Sequence, residues 1–155
     1  MSFSGHMSDI DKIKKIRAVT GLSVGEISKA LEEAGGHESR VLEILKARGA
    51  AIAHKKSSRE IKEGVIECYI HNTRKVGAIL ELGSETDFVA RNEEFRKLAR
   101  ELAMQITSMN PQSVEELLAQ PFIKDAGMTI ADLVNQYIAR LGENIKIGQF
   151  TRLEI

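Results

Sequence analysis

The chain lacks the features that mark several classes of protein. It has a single cysteine, Cys68, so no disulfide can form within it, which is typical of proteins in a reducing cytosol. Its 22 basic and 22 acidic residues cancel, whereas an obligate nucleic-acid binder usually carries a basic excess. No apolar run approaches the roughly 20 residues of a membrane-spanning helix, and no secretory signal is visible. These absences favour a cytoplasmic protein with no membrane anchor and no direct contact with nucleic acid.

Sequence patterns for catalysis, cofactors and metals are missing as well. The four histidines are isolated from one another and from Cys68, with no metal-ligand spacing. The glycines form no strand–loop–helix motif that could cradle a phosphate. Cys68 falls on the apolar face of a predicted strand, which predicts a buried and inert thiol. The sequence therefore predicts no enzyme activity, no cofactor and no metal site, and a binding protein is favoured.

The first third of the chain predicts a domain of three short helices over residues 8–50. Residues 1–7 have the composition of a cloning leader and are set aside. Asp9 is predicted to cap the first helix, and Ser23-Val24-Gly25-Glu26 has the spacing of a capping box at the start of the second. Gly49 is predicted to end the third helix. Such a bundle lies near the lower size limit for an independent fold.

A second domain of α+β class is predicted over residues 62–155, after a linker over residues 51–61. Two runs of alternating apolar residues around a polar turn predict a hairpin, helical stripes begin after Asn92 and Thr129, and a final strand ends the chain. The predicted architecture is a three-stranded antiparallel sheet packed with helices. The residues predicted to share one face of a strand are Ile66, Cys68 and Ile70 in the first, Val76, Ala78, Leu80 and Leu82 in the second, and Ile145, Ile147, Leu153 and Ile155 in the last.

An aromatic residue stands in the turn between the second strand and the next helix. Phe88 follows Thr86 and Asp87, at a place where a connecting turn is expected to be polar. The side chain either folds back onto the core of its own domain or is presented to a partner. The residues alone favour the first interpretation.

The segment Thr86-Asp87-Phe88-Val89-Ala90-Arg91-Asn92 resembles the signature of the bacterial elongation factor Ts family. Further segments resemble the family in the same order along the chain, at residues 14–21, 29–35, 64–66, 109–111 and 141–145. Because several ordered matches are distributed over nearly the whole chain after Met7, the resemblance is specific. It is to the short form of the family, with a single core domain.

This resemblance implies a guanine-nucleotide exchange factor for the translation GTPase elongation factor Tu, bound in its GDP form and its nucleotide-free form. It also implies that the three helices form a ubiquitin-associated-like (UBA-like) domain. In the family, the Asp-Phe turn docks beside the nucleotide and Mg²⁺ site, the Phe wedges between partner side chains, and GDP leaves. Carried onto this chain, the exchange turn is Thr86, Asp87 and Phe88. The secondary partner-binding residues are Lys14, Arg17, Val24, Gly25, Lys55, Lys56, Leu141 and Gly142.

Two departures from the family pattern keep a second function open. Val24-Gly25 stands where the family has a pair of large apolar residues, which predicts a weaker grip by the N-terminal domain, and residues 112–128 are shorter than in typical members. The alternative is a non-catalytic interaction module, a UBA-like domain on a scaffold without exchange activity. Some short members pair their sheets, so the resemblance also implies a homodimer.

Overall fold

The computed structural model describes residues 8–155, so the predicted leader at residues 1–7 lies outside the described part of the chain. Within that part, one compact unit ends at Gly49 and a second spans Ala50–Ile155. The elements in chain order are α1 (Asp9–Thr20), α2 (Val24–Glu33), α3 (Glu38–Lys56), β1 (Glu63–Ile70), β2 (Val76–Ser84), α4 (Asp87–Ala90), α5 (Glu93–Met109), α6 (Val114–Ala119), β3 (Pro121–Phe122), β4 (Asp125–Thr129), α7 (Ile130–Leu141) and β5 (Lys146–Glu154).

Local capping chemistry sets the helix starts in the first unit. Ser8 caps α1 by accepting a hydrogen bond from the Asp11 backbone N–H at 3.3 Å, so the prediction that Asp9 is the cap is wrong by one residue. The capping box of Ser23 and Glu26 at the start of α2 is confirmed. The apolar stripes of the helices meet in a small core made of Ile16, Ile27, Ala30, Leu31, Ala34, Val41 and Leu45.

The predicted end of the third helix at Gly49 is wrong, because α3 continues to Lys56. A glycine inside a helix costs about 1 kcal/mol relative to alanine. Burial of the residues that follow Gly49 outweighs that cost, since Ala53 lies in the core of the second unit and Ile52 packs against this core. Residues 51–56 of the predicted linker are therefore helical.

The second unit is built on the antiparallel sheet that the sequence predicts, with strand order β1-β2-β5. Helix α5 packs on β1 and β2, and α7 packs on α5. The predicted face of β2 is confirmed as the core face, where Ala78, Leu80 and Leu82 are buried. The predicted stripe of α5 is buried there too, with Phe95, Leu98, Leu102 and Ile106 fully covered. The α+β class and the helix-packed sheet are thus confirmed.

Ile66, Cys68 and Ile70 share one face of β1, as predicted, but this face is not the buried one. Val65 and Tyr69 pack against the core, whereas Ile66, Cys68 and Ile70 are exposed on the other face. Cys68 is therefore an exposed thiol rather than a buried one. Alternation fixes which residues share a face, but a shift of one residue exchanges the faces, and both faces of this strand carry apolar side chains.

A β-bulge divides the final strand, so its predicted single apolar face is also wrong. Leu80 pairs with Phe150 and Leu82 pairs with Ile147, which leaves one extra residue in β5. The Glu81 carboxylate accepts from the Gln149 backbone N–H within this bulge, at 3.3 Å. An inserted residue reverses the phase of a strand. Ile145 and Ile147 consequently lie on the core side, while Leu153 and Ile155 are exposed.

The short segment at residues 112–128 contains regular structure. It includes α6, capped by Ser113, and most of the β3–β4 hairpin, for which the sequence analysis gives no prediction. The hairpin is held by Gln105 of α5, which is fully buried. Its amide nitrogen donates to the Pro121 carbonyl at 3.0 Å, and its amide oxygen accepts from the Ile123 backbone N–H at 3.0 Å.

Candidate functional site

Phe88 lies on the short helix α4, between β2 and α5, and its side chain points into solvent. It is 84% exposed, while its neighbours Val89 and Ala90 are 5% and 3% exposed and belong to the core. The interpretation that Phe88 folds back onto its own domain is therefore wrong. Burying an aromatic side chain of this size stabilises a fold by about 1.5–3 kcal/mol, and Phe88 contributes little of this to the second unit.

Thr86 caps α4. Its hydroxyl oxygen accepts from the Val89 backbone N–H at 3.3 Å, which satisfies a donor that a helix start leaves unpaired. A helix of four residues has little stability of its own. The cap and the buried pair Val89 and Ala90 together fix its position on the domain.

Asp87, the first residue of α4, places a carboxylate directly beside Phe88. Its Oδ2 lies 2.8 Å from Nε of Arg91, and the two side chains are 54% and 75% exposed. An exposed ion pair of this kind contributes about 0–1 kcal/mol. The Asp87 carboxylate is therefore accessible, and its intramolecular partner can be displaced at low cost.

The loop after α7 lies directly against the start of α4. Gly142 ends α7 in the left-handed conformation, with φ 77°, and the next residue, Glu143, hydrogen-bonds the backbone and hydroxyl of Thr86. Lys56 Nζ donates to the Gly142 carbonyl at 2.9 Å. Hydrogen bonds thus connect Lys56 to Gly142, and Glu143, the residue after Gly142, to Thr86. Three of the predicted site residues therefore lie close together. Leu141 is half-buried and packs against the core, and Lys55 is exposed.

The remaining predicted site residues lie on the first unit. Lys14 and Arg17 are exposed and three residues apart on α1, a spacing that places them on one helix face. Val24 is 47% exposed at the start of α2, and the space around Gly25 is open. The first unit therefore exposes two cations on α1 and a small apolar surface at the start of α2.

Glu143 was not predicted as a site residue. The only sequence signal is its position directly after a helix-ending glycine, and nothing in the sequence connects it with a turn 57 residues earlier. Its carboxylate accepts three hydrogen bonds from Glu85 and Thr86. Its significance becomes visible only when the fold is known.

Residues 8–155 contain no group of three or more His, Cys, Asp or Glu side chains that could hold a metal ion. In the same range, no helix is both long and apolar enough to cross a bilayer. An aromatic side chain held out on a capped, core-anchored helix, next to an accessible carboxylate, is the geometry of an anchor for a protein partner. The fold and the site thus define a protein-binding factor.

Comparison with known proteins gives the family. A sequence model described as Elongation factor TS matches residues 85–155, which include α4 and the loop after α7. Elongation factor Ts of Thermodesulfovibrio yellowstonii is 38% identical, over 92% of this chain and 94% of that protein. Those of Thermotoga petrophila and Thermotoga maritima are each 36% identical, over 94% of this chain and 95% of theirs. The chain belongs to the elongation factor Ts family, the nucleotide exchange factors for elongation factor Tu in translation elongation.

Proposed function

We propose that this chain releases GDP from elongation factor Tu, and that Thr86, Asp87 and Phe88 form its exchange element. The observation that carries this proposal is the 84% exposure of Phe88 on a helix anchored by buried neighbours. Family membership supplies the partner and the reaction. The proposed partner states are the GDP-bound GTPase and its nucleotide-free form.

In this proposal, exchange needs no covalent chemistry from the chain. Binding energy is realised only when the GTPase is distorted around its nucleotide, so the factor and GDP weaken each other's affinity reciprocally. A coupling of about 3 kcal/mol corresponds to roughly 150-fold in affinity. An aromatic anchor such as Phe88, once it is buried against the partner, supplies energy of that order. Asp87 adds a negative charge beside the Mg²⁺ of the partner, which is the largest local charge there.

The first unit is proposed to be a UBA-like domain that holds a helix of the same GTPase. Lys14 and Arg17 supply the cations of this contact, and Val24 and Gly25 its apolar part. The small size of the latter pair supports a weaker grip than that of members with two large apolar residues at the same place. Lys55, Lys56 and Leu141-Gly142 are proposed as additional contacts near the exchange element.

A second copy of this chain is proposed to cover the outer face of the sheet. The face exposes Ile66, Ile70, Ile79 and Leu153, which are 71%, 60%, 49% and 73% exposed, with Cys68 among them. Contiguous exposed apolar surface of this kind marks interaction sites. The expectation that short members of the family pair their sheets supports another copy of the chain, related by two-fold symmetry, as the occupant.

The proposed place of action is the cytoplasm, where translation occurs, with protein partners and no direct contact with nucleic acid. The balance of 22 basic and 22 acidic residues supports this part of the proposal, because binding to nucleic acid is dominated by neutralisation of phosphate charge.

A non-catalytic interaction module is the second candidate function. The observation in its favour is the Val24-Gly25 pair, which offers little apolar surface for the grip of the first unit. This candidate requires binding to a ubiquitin-like or helical partner, elongation factor Tu included, without any change in the rate of GDP release.

Stopped-flow release of a fluorescent GDP from purified bacterial elongation factor Tu separates the two candidates. The expected result is a release rate that rises with the concentration of this chain and then saturates. A folded chain that binds the GTPase, measured by calorimetry, but leaves the release rate unchanged at saturation would support the interaction module instead.

A further inference from the structure

We propose that Glu143 is a positioning residue for the exchange element, and that its carboxylate sets the direction in which α4 presents Phe88. The inference rests on the proposed function for its consequence in exchange, but its structural part can be tested without any GTPase.

The Glu143 carboxylate binds the entry of α4 with both oxygens. Oε1 accepts from the backbone N–H groups of Glu85 and Thr86 at 3.2 and 3.0 Å. Oε2 accepts from the Thr86 hydroxyl at 2.7 Å. Hydrogen bonds to an ionised carboxylate are shorter and stronger than those between neutral groups. The carboxylate therefore holds the main chain of Glu85 and Thr86 and the side chain of Thr86.

The Thr86 hydroxyl connects Glu143 to the helix itself. A hydroxyl has one hydrogen to donate and lone pairs to accept. The hydrogen of Thr86 goes to Glu143, so a lone pair of the same oxygen is oriented toward the Val89 backbone N–H, 3.3 Å away. The carboxylate thus orients the cap, and the cap orients the single turn of helix that carries Phe88.

A reciprocal pair of contacts makes this arrangement a two-sided clamp. The Glu85 carboxylate accepts from the Asn144 backbone N–H at 2.9 Å and lies 3.7 Å from Nη1 of Arg59. Asn144 is 2% exposed, and its amide donates to the Arg59 carbonyl at 2.8 Å. Each segment therefore supplies a carboxylate to the backbone of the other. The turn of Gly142, with φ 77°, brings Glu143 and Asn144 to this place.

Preorganisation is the expected benefit of the clamp. When the orientation that can bind is only a fraction of the population, the apparent dissociation constant rises by the inverse of that fraction. If loss of the carboxylate lowers the competent fraction to about a tenth, apparent affinity falls about tenfold. The maximum release rate in the saturated complex should change much less, because Phe88 itself is intact.

The structural test uses the absence of tryptophan from the chain. In Phe88→Trp, a single indole reports motion of α4 by time-resolved fluorescence anisotropy. Adding Glu143→Ala should increase the amplitude of the fast local motion, and Glu143→Gln, which keeps one acceptor oxygen, should increase it less. Glu115→Ala, an exposed glutamate in the first turn of α6, is the matched control and should leave the amplitude unchanged.

The functional test uses the native Phe88 with the same three changes. Glu143→Ala should lower the apparent affinity for elongation factor Tu about tenfold, with partial rescue in Glu143→Gln and no effect of Glu115→Ala. Unchanged anisotropy in a variant with native circular dichroism would overturn the positioning role. If Glu143→Ala does not fold, Glu143→Gln alone decides by the same criterion. A parent chain without exchange activity would overturn the proposed function, while the anisotropy result would still decide the positioning role.

Discussion

Neighbouring side chains of α4 differ sharply in exposure to solvent, and this difference is the main evidence for a binding role of Phe88. Val89 and Ala90 are buried, whereas Phe88 between Asp87 and Val89 is 84% exposed. A side chain that contributes nothing to the core can be changed with little effect on stability. Phe88 is thus a position at which binding and folding can be separated experimentally.

Tyr137 of α7 shows how burial acts on a single ionisable side chain. Burial raises its pKa above the ordinary 10.0, and the charges of Glu94 and Glu101 raise it further, while Arg140 lowers it. The Arg140 guanidinium lies over the tyrosine ring, 4.7 Å from its centre. The neutral phenol is the form that the fold favours.

The raised pKa of Tyr137 predicts a loss of stability in alkali. The folded state holds the proton above pH 10 while the unfolded state releases it, so this contribution is complete below pH 10 and is lost as the pH rises through the folded pKa. The difference in free energy of unfolding between the parent and Tyr137→Phe should be constant from pH 7 to about 10 and should then change in favour of the variant. Urea titrations at each pH measure it, and a constant difference up to about pH 11 would contradict the assignment.

Helix α5 is the element that joins the parts of the second unit. It packs on β1 and β2 with one face and contacts α7. Through Gln105 it also holds the β3–β4 hairpin. A buried amide that satisfies two backbone groups of another element acts as a fixed link, since leaving those groups unpaired is costly.

Replacing Gln105 with methionine tests this link. The change keeps the volume of the side chain but leaves the Pro121 carbonyl and the Ile123 N–H without their partner. We expect a loss of about 1–3 kcal/mol in the free energy of unfolding, measured by urea denaturation. Gln149→Met, at an exposed position of β5, is the control and should have a much smaller effect. If both changes lowered the free energy of unfolding equally, the hydrogen bonds from Gln105 to the hairpin would not be the cause of the loss.

The helices and strands differ in how far their boundaries and irregularities can be predicted from the sequence. The capping boxes at Ser23 and Thr129 were predictable because each is a local arrangement of neighbouring residues. The continuation of α3 through Gly49 was not, since packing of residues further along the chain outweighs a local glycine penalty. The bulge in β5 depends on its pairing with β2, which the sequence of β5 alone does not contain.

Over the whole second unit, the sheet has one face covered by helices and one face open. The alternating pattern of β1 could not tell these faces apart, because both are apolar and the choice depends on where α5 packs. For the same reason the sequence predicts a buried thiol at Cys68, whereas the residue lies on the open face. The proposed exchange turn could be named only from the resemblance of the sequence to the family, and the direction of Phe88 and the contacts of Glu143 required the fold.

The open face predicts self-association that a single charge can prevent. Ile79 lies at its centre, opposite Cys68 on β1 and Thr151 on β5. The parent is expected to have the mass of two chains in light scattering at micromolar concentration, and Ile79→Lys that of one, because an unpaired charge in an apolar interface is strongly unfavourable. Ser108→Lys, on an exposed position of α5, should remain a dimer. A monomeric parent would contradict the proposal for this face.

The central claim is that the exposed side chain of Phe88 drives release of GDP from elongation factor Tu, and one comparison tests it most directly. Stopped-flow release is measured with the parent, with Phe88→Ala and with Ile123→Ala, an exposed apolar control that is 41% exposed in the same unit. Loss of an anchor of about 2 kcal/mol or more lowers the acceleration about 30-fold or more. The account predicts this loss for Phe88→Ala with unchanged thermal stability, and near-parent rates for Ile123→Ala. A parent that accelerates release and a Phe88→Ala variant that does so equally well would contradict it.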